Sequence, residues 1–165
     1  MTATAPPEIR DYVPDDRPAL IALVRELQAA EAELYDRMRP PDAIGDDYVD
    51  GLLDACRRRR GRILVATENG APVGYAVILT EVPSEAELDE VDYAYAYVQD
   101  LVVTQAARGR GIGAQLLARC EQIARDAGAR WLRICVLAGN AGAVRIYEKS
   151  GFSPLFFEME KRLGD

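Results

Sequence analysis

Histidine is absent from the 165 residues. Without it the chain cannot build Ser-His-Asp or Cys-His nucleophiles or histidine-ligated zinc, so whole reaction classes drop out. Cysteine is scarce. Cys56, Cys120 and Cys135 are odd in number, widely spaced and form no CxxC, so neither a disulfide framework nor a thiolate metal site is suggested, and all three read as core thiols. No apolar run approaches the roughly 18 residues of a membrane span, and the opening MTATAPPEIRDYVPDD has no basic stretch followed by an apolar one. The expectation is a soluble, cytoplasmic protein with no membrane partner. Positive charge is also short, with 20 Lys and Arg against 27 Asp and Glu and a net charge of −7. That balance argues against a nucleic-acid partner, which needs a basic face to displace counterions from phosphates. The one basic run, CRRRRGR (Cys56 to Arg62), closes a predicted helix, where cations suit the negative end of the macrodipole.

What is present is ordinary core-forming material: 49% of residues are hydrophobic and 28% charged. A chain of this length is expected to fold as one domain over residues 1–165. EIRDYV (Glu8 to Val13) reads as a short strand, and Asp15 or Asp16 with Pro18 announces a helix start. Leu20, Leu23, Val24 and Leu27 recur at helical spacing toward Tyr35. RPPDAIGDD interrupts the pattern, and a second helix carries Tyr48, Leu52, Leu53 and Cys56. RILVATENGAPVGYAVIL is two strand-like runs joined at Asn69-Gly70, a hairpin signal. Glu81 to Asp92 is acidic with no basic residue and reads as an exposed loop. A strand from Tyr93 to Val103 follows, with Tyr93, Tyr95 and Tyr97 alternating on one face. A helix with an Ile112, Leu116, Cys120, Ile123, Ala127 stripe ends at Gly128. RWLRICVL is the next strand, Asn140 caps a helix through Lys149, and LFFEMEKRL alternates as a last strand. The order is mixed α/β (α+β) with a mostly antiparallel front half.

The segment YVQDLVVTQAARGRGIGAQL (Tyr97 to Leu116) runs from strand through glycines at 109, 111 and 113 into an amphipathic helix. A helix N-terminus offers unpaired N–H groups and partial positive charge, and glycines there admit an anion close to the backbone, so a phosphate-bearing ligand is the natural occupant. Gly109 to Ala114 also satisfies G-x-G-x-x-G/A, the dinucleotide fingerprint. However, the acidic residue expected about 20 positions on is replaced by ICVLAGN, and too little chain remains for a doubly wound sheet. Walker A is excluded, because no Gly-Lys-Ser/Thr follows.

Arg108-Gly109-Arg110-Gly111-Ile112-Gly113 resembles the Gln/Arg-x-x-Gly-x-Gly/Ala acyl-CoA signature of the GNAT superfamily of N-acyltransferases. NAGAVRIYEKSGF matches its second half at Asn140, Ala143, Tyr147 and Gly151-Phe152. The resemblance implies a GNAT fold, with a mixed, mostly antiparallel sheet, splayed central strands and flanking helices. It implies acetyl-CoA as cosubstrate and no metal. The pantetheine arm would pair with the backbone of Leu101, Val102 and Val103, and the pyrophosphate would rest on Arg108 to Gly113, with Asn140, Ala143 and Tyr147 completing the donor site. By the same resemblance an amine attacks the thioester directly in a ternary complex, a backbone N–H of the central strand stabilises the oxyanion, and Tyr147 protonates the leaving thiolate. YVQDLVV is similar to the YVEDxxV of polyamine acetyltransferases, but Gln99 replaces the glutamate that assists deprotonation. Asp100, Glu81 or a water chain are the candidate substitutes. Tyr35, Tyr97 and Gln99 are the expected acceptor-site residues, in a cleft that the resemblance places near the start of the central strand and the loop between the first two helices, which contains Asp42, Asp46 and Asp47. The expected acceptor is a small-molecule amine. The competing readings are a non-catalytic acyl-CoA-binding or sensing module and a protein or peptide N-terminal acetyltransferase. Pairing of last strands in a homodimer is left open by the sequence.

Overall fold

Asn69 and Gly70 both take left-handed backbone, with φ of 51° and 80°. That type I′ geometry matches the twist of the strands it joins. In this computed structural model, which describes residues 6–84 and 94–164, the turn links β2 (Arg62–Glu68) to β3 (Ala71–Pro83). β1 (Glu8–Asp11) precedes them, followed by α1 (Arg17–Ala32) and α2 (Asp46–Arg58). β4 (Ala94–Val103), α3 (Ile112–Asp126), β5 (Leu132–Ile134) and α4 (Ala141–Lys149) come after. The five strands form one sheet in sequential order. β1 through β4 pair antiparallel, and β5 joins β4 parallel. The expected acidic loop beyond residue 84 and Tyr93 lie outside the described residues.

Strand alternation sends side chains to two cores, one on each face. Leu64, Ala66, Ala76, Ile78, Ala96 and Val98 pack under α3 with Ile112, Leu116, Leu117, Cys120 and Ile123. Ile63, Val65, Tyr75, Val77 and Leu79 pack under α1 and α2 with Leu20, Leu23, Val24, Val49 and Leu52. α3's apolar stripe turns through buried Ala124, and Ala127 is exposed. Asp16 occupies the α1 N-cap position, but its carboxylate does not cap the helix. Instead it accepts Arg10 on both oxygens, at 2.7 and 2.8 Å, and the N–H of Val13 at 2.9 Å.

Two strand expectations are corrected. RWLRICVL contributes only the residues of β5. LFFEMEKRL forms no strand within the chain: residues 152–164 carry no regular structure, and Phe157 and Met159 are 86% and 91% exposed. Its alternation is genuine, but among the described residues no strand pairs with it.

Candidate active site

The glycine turn is shaped by backbone before it is shaped by any ligand. Gly109 and Gly111 have φ of 77° and 79°, a conformation that L side chains rarely adopt. A Cβ at either would meet nothing within 4 Å, so the space above the turn is open. Gly113 has no such constraint: its Cβ would lie 3.8 Å from Val103 Cγ2, an ordinary contact. The first helical bond runs from Gln115 N–H to Gly111 O. Among the described residues no acceptor takes the N–H groups of Ile112, Gly113 and Ala114, which is the arrangement that accepts an anion. Buried Ile112 keeps its side chain in the α3 core and offers the site only main chain.

The neighbouring arginines brace this turn. Arg108 donates through Nε to Val103 O at 2.9 Å and approaches Glu26 at 3.6 Å. Arg110 pairs with Glu68 at 2.9 Å. Glu26 also accepts from the Thr104 hydroxyl at 2.9 Å and from the N–H of Gln105. The carbonyl of Val103 is therefore already engaged, while β4 stays open on the side facing β5. Strand pairing there covers Ala96, Tyr97 and Val98 with Leu132, Arg133 and Ile134 and then stops, so Gln99 to Val103 have no strand partner on that side among the described residues.

At the point where β4 and β5 part, β4 contains a bulge. Ile78 pairs with Val98 and Val77 with Asp100, so Gln99 is the extra residue. A bulge shifts the inside–outside alternation by one. Before it, Ala96 and Val98 face α3. After it, Val102 faces α1 and α2, and Leu101 and Val103 lean on the α3 core. Asp100 thereby enters the α1/α2 side, where the Tyr75 and Tyr48 hydroxyls donate to its Oδ2 at 2.7 and 3.0 Å. Burial pushes its carboxyl above the usual carboxylate range, against the opposing pull of the two hydroxyls. Glu31, near the end of α1, is half-buried, and its carboxyl is raised by burial and then by the charge of Asp100. Neither carboxylate has a cationic partner among the described residues.

Tyr147 arrives from α4. Asn140 starts this helix by accepting the N–H of Ala143 at 3.1 Å, a side-chain cap that fixes where the helix begins. Two turns on, Tyr147 is 9% exposed within the α3-side core and rests on Phe152 at 6.1 Å between ring centroids. Burial pushes its hydroxyl up to about 12, with Glu31 and Cys135 adding to the shift. At neutral pH it is a protonated donor.

The other sequence candidates fall differently. Tyr97 is half-buried beside the α1/α2 core, edge-on to Tyr95 at 6.3 Å, and its hydroxyl is raised by burial, then by Cys135, Tyr95 and Asp100. Gln99 is exposed at the bulge. Tyr35 lies just beyond α1, with Arg37 over its ring at 4.4 Å and donating to its hydroxyl. Glu81 stands apart: it pairs with Arg60 at 2.8 Å and lines a cleft with Arg119, Asp126 and Ala127 at the C-terminal end of α3, away from the glycine turn. In the first turn of α2, Asp46 and Asp47 are engaged by Arg17 and Arg39. Sequence reading missed Glu31, Tyr48, Tyr75 and Glu26. Each sits in a helix or strand pattern where it looks like an ordinary core or surface residue.

Residues 22–152 match the model of the Acetyltransferase (GNAT) family. The chain is 30% identical over 156 residues to the aminoalkylphosphonate N-acetyltransferase of Salmonella typhimurium, covering 94% of this chain and 91% of that one. It is 27% identical over 146 residues to the human spermidine/spermine N(1)-acetyltransferase-like protein 1, covering 87% of this chain and 20% of that longer protein. Among solved structures, a mutant of the BH1408 protein of Bacillus halodurans superposes with a TM-score of 0.83 at 19% identity, over 94% of this chain and 99% of the other.

Proposed function

Because the chain belongs to the GNAT family of acetyltransferases, we propose that it moves the acetyl group of acetyl-CoA to a primary amine of a small cationic acceptor, by direct attack within a ternary complex. The residues fit the donor. The open N–H groups at the start of α3 and the clear space over Gly109 and Gly111 suit a pyrophosphate, and the unpaired edge of β4 from Leu101 suits the amide-bearing pantetheine arm. Acetyl-CoA supplies the thioester. The chain's own groups do the rest: Asp100, raised by burial, takes the proton from the incoming ammonium directly or through water, and Tyr147 returns a proton to the departing sulfur. A main-chain N–H of β4 at the bulge polarises the carbonyl.

A single observation supports the cationic acceptor best. Two carboxylates, Asp100 and Glu31, stand half-buried at the site with no cationic partner among the described residues. The names of two relatives point to acceptors of opposite character, an aminoalkylphosphonate and a polyamine. An unpaired carboxylate pair attracts the polyamine type and repels a phosphonate. The test is thiol release from acetyl-CoA across amines of graded charge at low and high salt. Polycationic amines are expected to give the highest kcat/KM, with the advantage shrinking as salt rises. Preference for a neutral amine or an aminoalkylphosphonate contradicts the reading.

A further inference from the structure

α1 packs on the face of the sheet opposite α3, yet Glu26 of α1 holds the segment that runs from β4 into α3. Its Oε2 accepts the Thr104 hydroxyl at 2.9 Å, while its Oε1 accepts the N–H of Gln105 and lies 3.6 Å from the Arg108 guanidinium. Gln105 opens a short 3₁₀ turn, Gln105–Ala107, whose preceding residue leaves it uncapped, because the Thr104 side chain makes no capping bond. Glu26 supplies that acceptor from another element. Thr104 is also held from β3, its N–H bonded to Val73 O at 2.9 Å.

Gly109 and Gly111 make this bracing matter. Both are left-handed, and nothing lies within 4 Å of where their Cβ atoms would be, so the stretch between Arg108 and Ile112 has the conformational freedom of glycine and few contacts of its own. Its geometry is set at its ends. At the far end Ile112 is locked in the α3 core. At the near end Ala107, 1% exposed, sits in the same core and donates its N–H to Thr104 O at 2.9 Å, and Arg108 donates its N–H to Gln105 O at 3.2 Å. Both bonds end on residues that Glu26 holds. A carboxylate beside a turn that takes phosphates opposes them unless it is neutralised; here both oxygens are occupied by donors of the turn, with Arg108 alongside. We propose that Glu26 is a positioning residue for the donor, which holds Thr104, Gln105 and Arg108 so that the N–H groups of Ile112 to Ala114 are in place before acetyl-CoA arrives. The inference rests on the acetyl-CoA reading above and adds to it a residue from a distant helix. With Glu26 the turn is ordered in the free protein; without it the ligand must order the turn, and the cost appears in binding. Once bound, the turn takes the same form and the chemical step is untouched.

Calorimetry with acetyl-CoA, steady-state kinetics and amide hydrogen exchange of the free protein test it. Glu26→Ala is expected to weaken acetyl-CoA binding about tenfold, to raise the KM for acetyl-CoA by a like factor with kcat at saturating substrates unchanged, and to speed exchange at Gln105, Ala107 and Arg108 before any ligand is added. In Glu26→Gln the amide oxygen still accepts from Gln105 and the amide N–H donates to Thr104 Oγ, so affinity and protection are expected to return near wild type. Thr104→Val removes the hydroxyl tether alone and is expected to raise the same KM by a smaller factor. A Glu26→Ala or Thr104→Val variant with wild-type acetyl-CoA affinity, a kcat that falls while KM holds, or a Glu26→Gln variant as weak as Glu26→Ala would each overturn the role of Glu26. A wild type that binds no acetyl-CoA would overturn the donor reading itself, and this inference with it.

Discussion

Asp100 is held between opposed demands. Burial favours its neutral form, two tyrosyl hydroxyls favour its anion, and burial wins, leaving the carboxyl above the ordinary range. Its folded value therefore exceeds its unfolded one, so the native state holds the proton more tightly. Wild-type stability falls as pH rises from the usual carboxylate range through the raised value. Asp100→Asn keeps acceptors for Tyr48 and Tyr75 and does not titrate. Its thermal midpoint should gain on wild type over that interval and hold the gain above it, while kcat drops about 10²-fold or more. Melting curves and turnover recorded across that pH range check both. Asp16 is the opposite case. At 4% exposure it accepts Arg10 on both oxygens, which holds its carboxyl below the usual range. That stability is present above the unfolded pKa of about 3.9 and is lost as pH falls through the folded value. Asp16→Ala should cost about 2–3 kcal/mol at neutral pH, because it also strands Arg10 and the N–H of Val13. Chemical denaturation measures it.

At the scale of elements, the two glycine roles in the turn separate. Gly109 and Gly111 answer to backbone conformation, so any side chain there strains the loop whether or not a ligand binds. Gly113 is already inside α3 with room for a Cβ, which makes it the cleaner probe of the cradle. Gly113→Leu should leave the circular dichroism and melting temperature near wild type and weaken acetyl-CoA binding about tenfold or more, a loss of at least about 1.4 kcal/mol. Calorimetry decides it, and an unchanged affinity with the fold intact would remove the main-chain cradle. Most elements were legible in the sequence because local signals and tertiary environment agree. The Asn69-Gly70 turn, the Gly128 stop and the Asn140 cap all stand where their chemistry requires. Failures came where pairing decides. β5 is short because β4 and β5 part at the bulge, and among the described residues LFFEMEKRL has no strand beside it.

At the scale of the whole molecule, the site is a consequence of register. Read by simple alternation, YVQDLVV would send Asp100 to the same face as Ala96 and Val98. The extra residue at Gln99 turns it instead toward Tyr75 on β3 and Tyr48 on α2. No local pattern in the sequence announces that shift, which is why the glycine turn and Tyr147 could be singled out from motifs while Tyr48, Tyr75 and Glu31 could not. Tyr147 lies in the α3-side core, and the charge of Glu31 on α1 adds to the rise that burial imposes on its hydroxyl. Three separate pieces of chain converge in the proposed site: the turn before α3, the bulged β4 and the capped α4. The most direct test of that convergence is Tyr147→Phe, which removes one hydroxyl and keeps the ring against Phe152. With a polyamine acceptor, the variant is expected to release thiol from acetyl-CoA about 10²-fold or more slowly at saturating substrate, with its acetyl-CoA affinity unchanged. Turnover at the wild-type rate would contradict the assignment of the leaving-group proton to Tyr147 and reduce that residue to core packing.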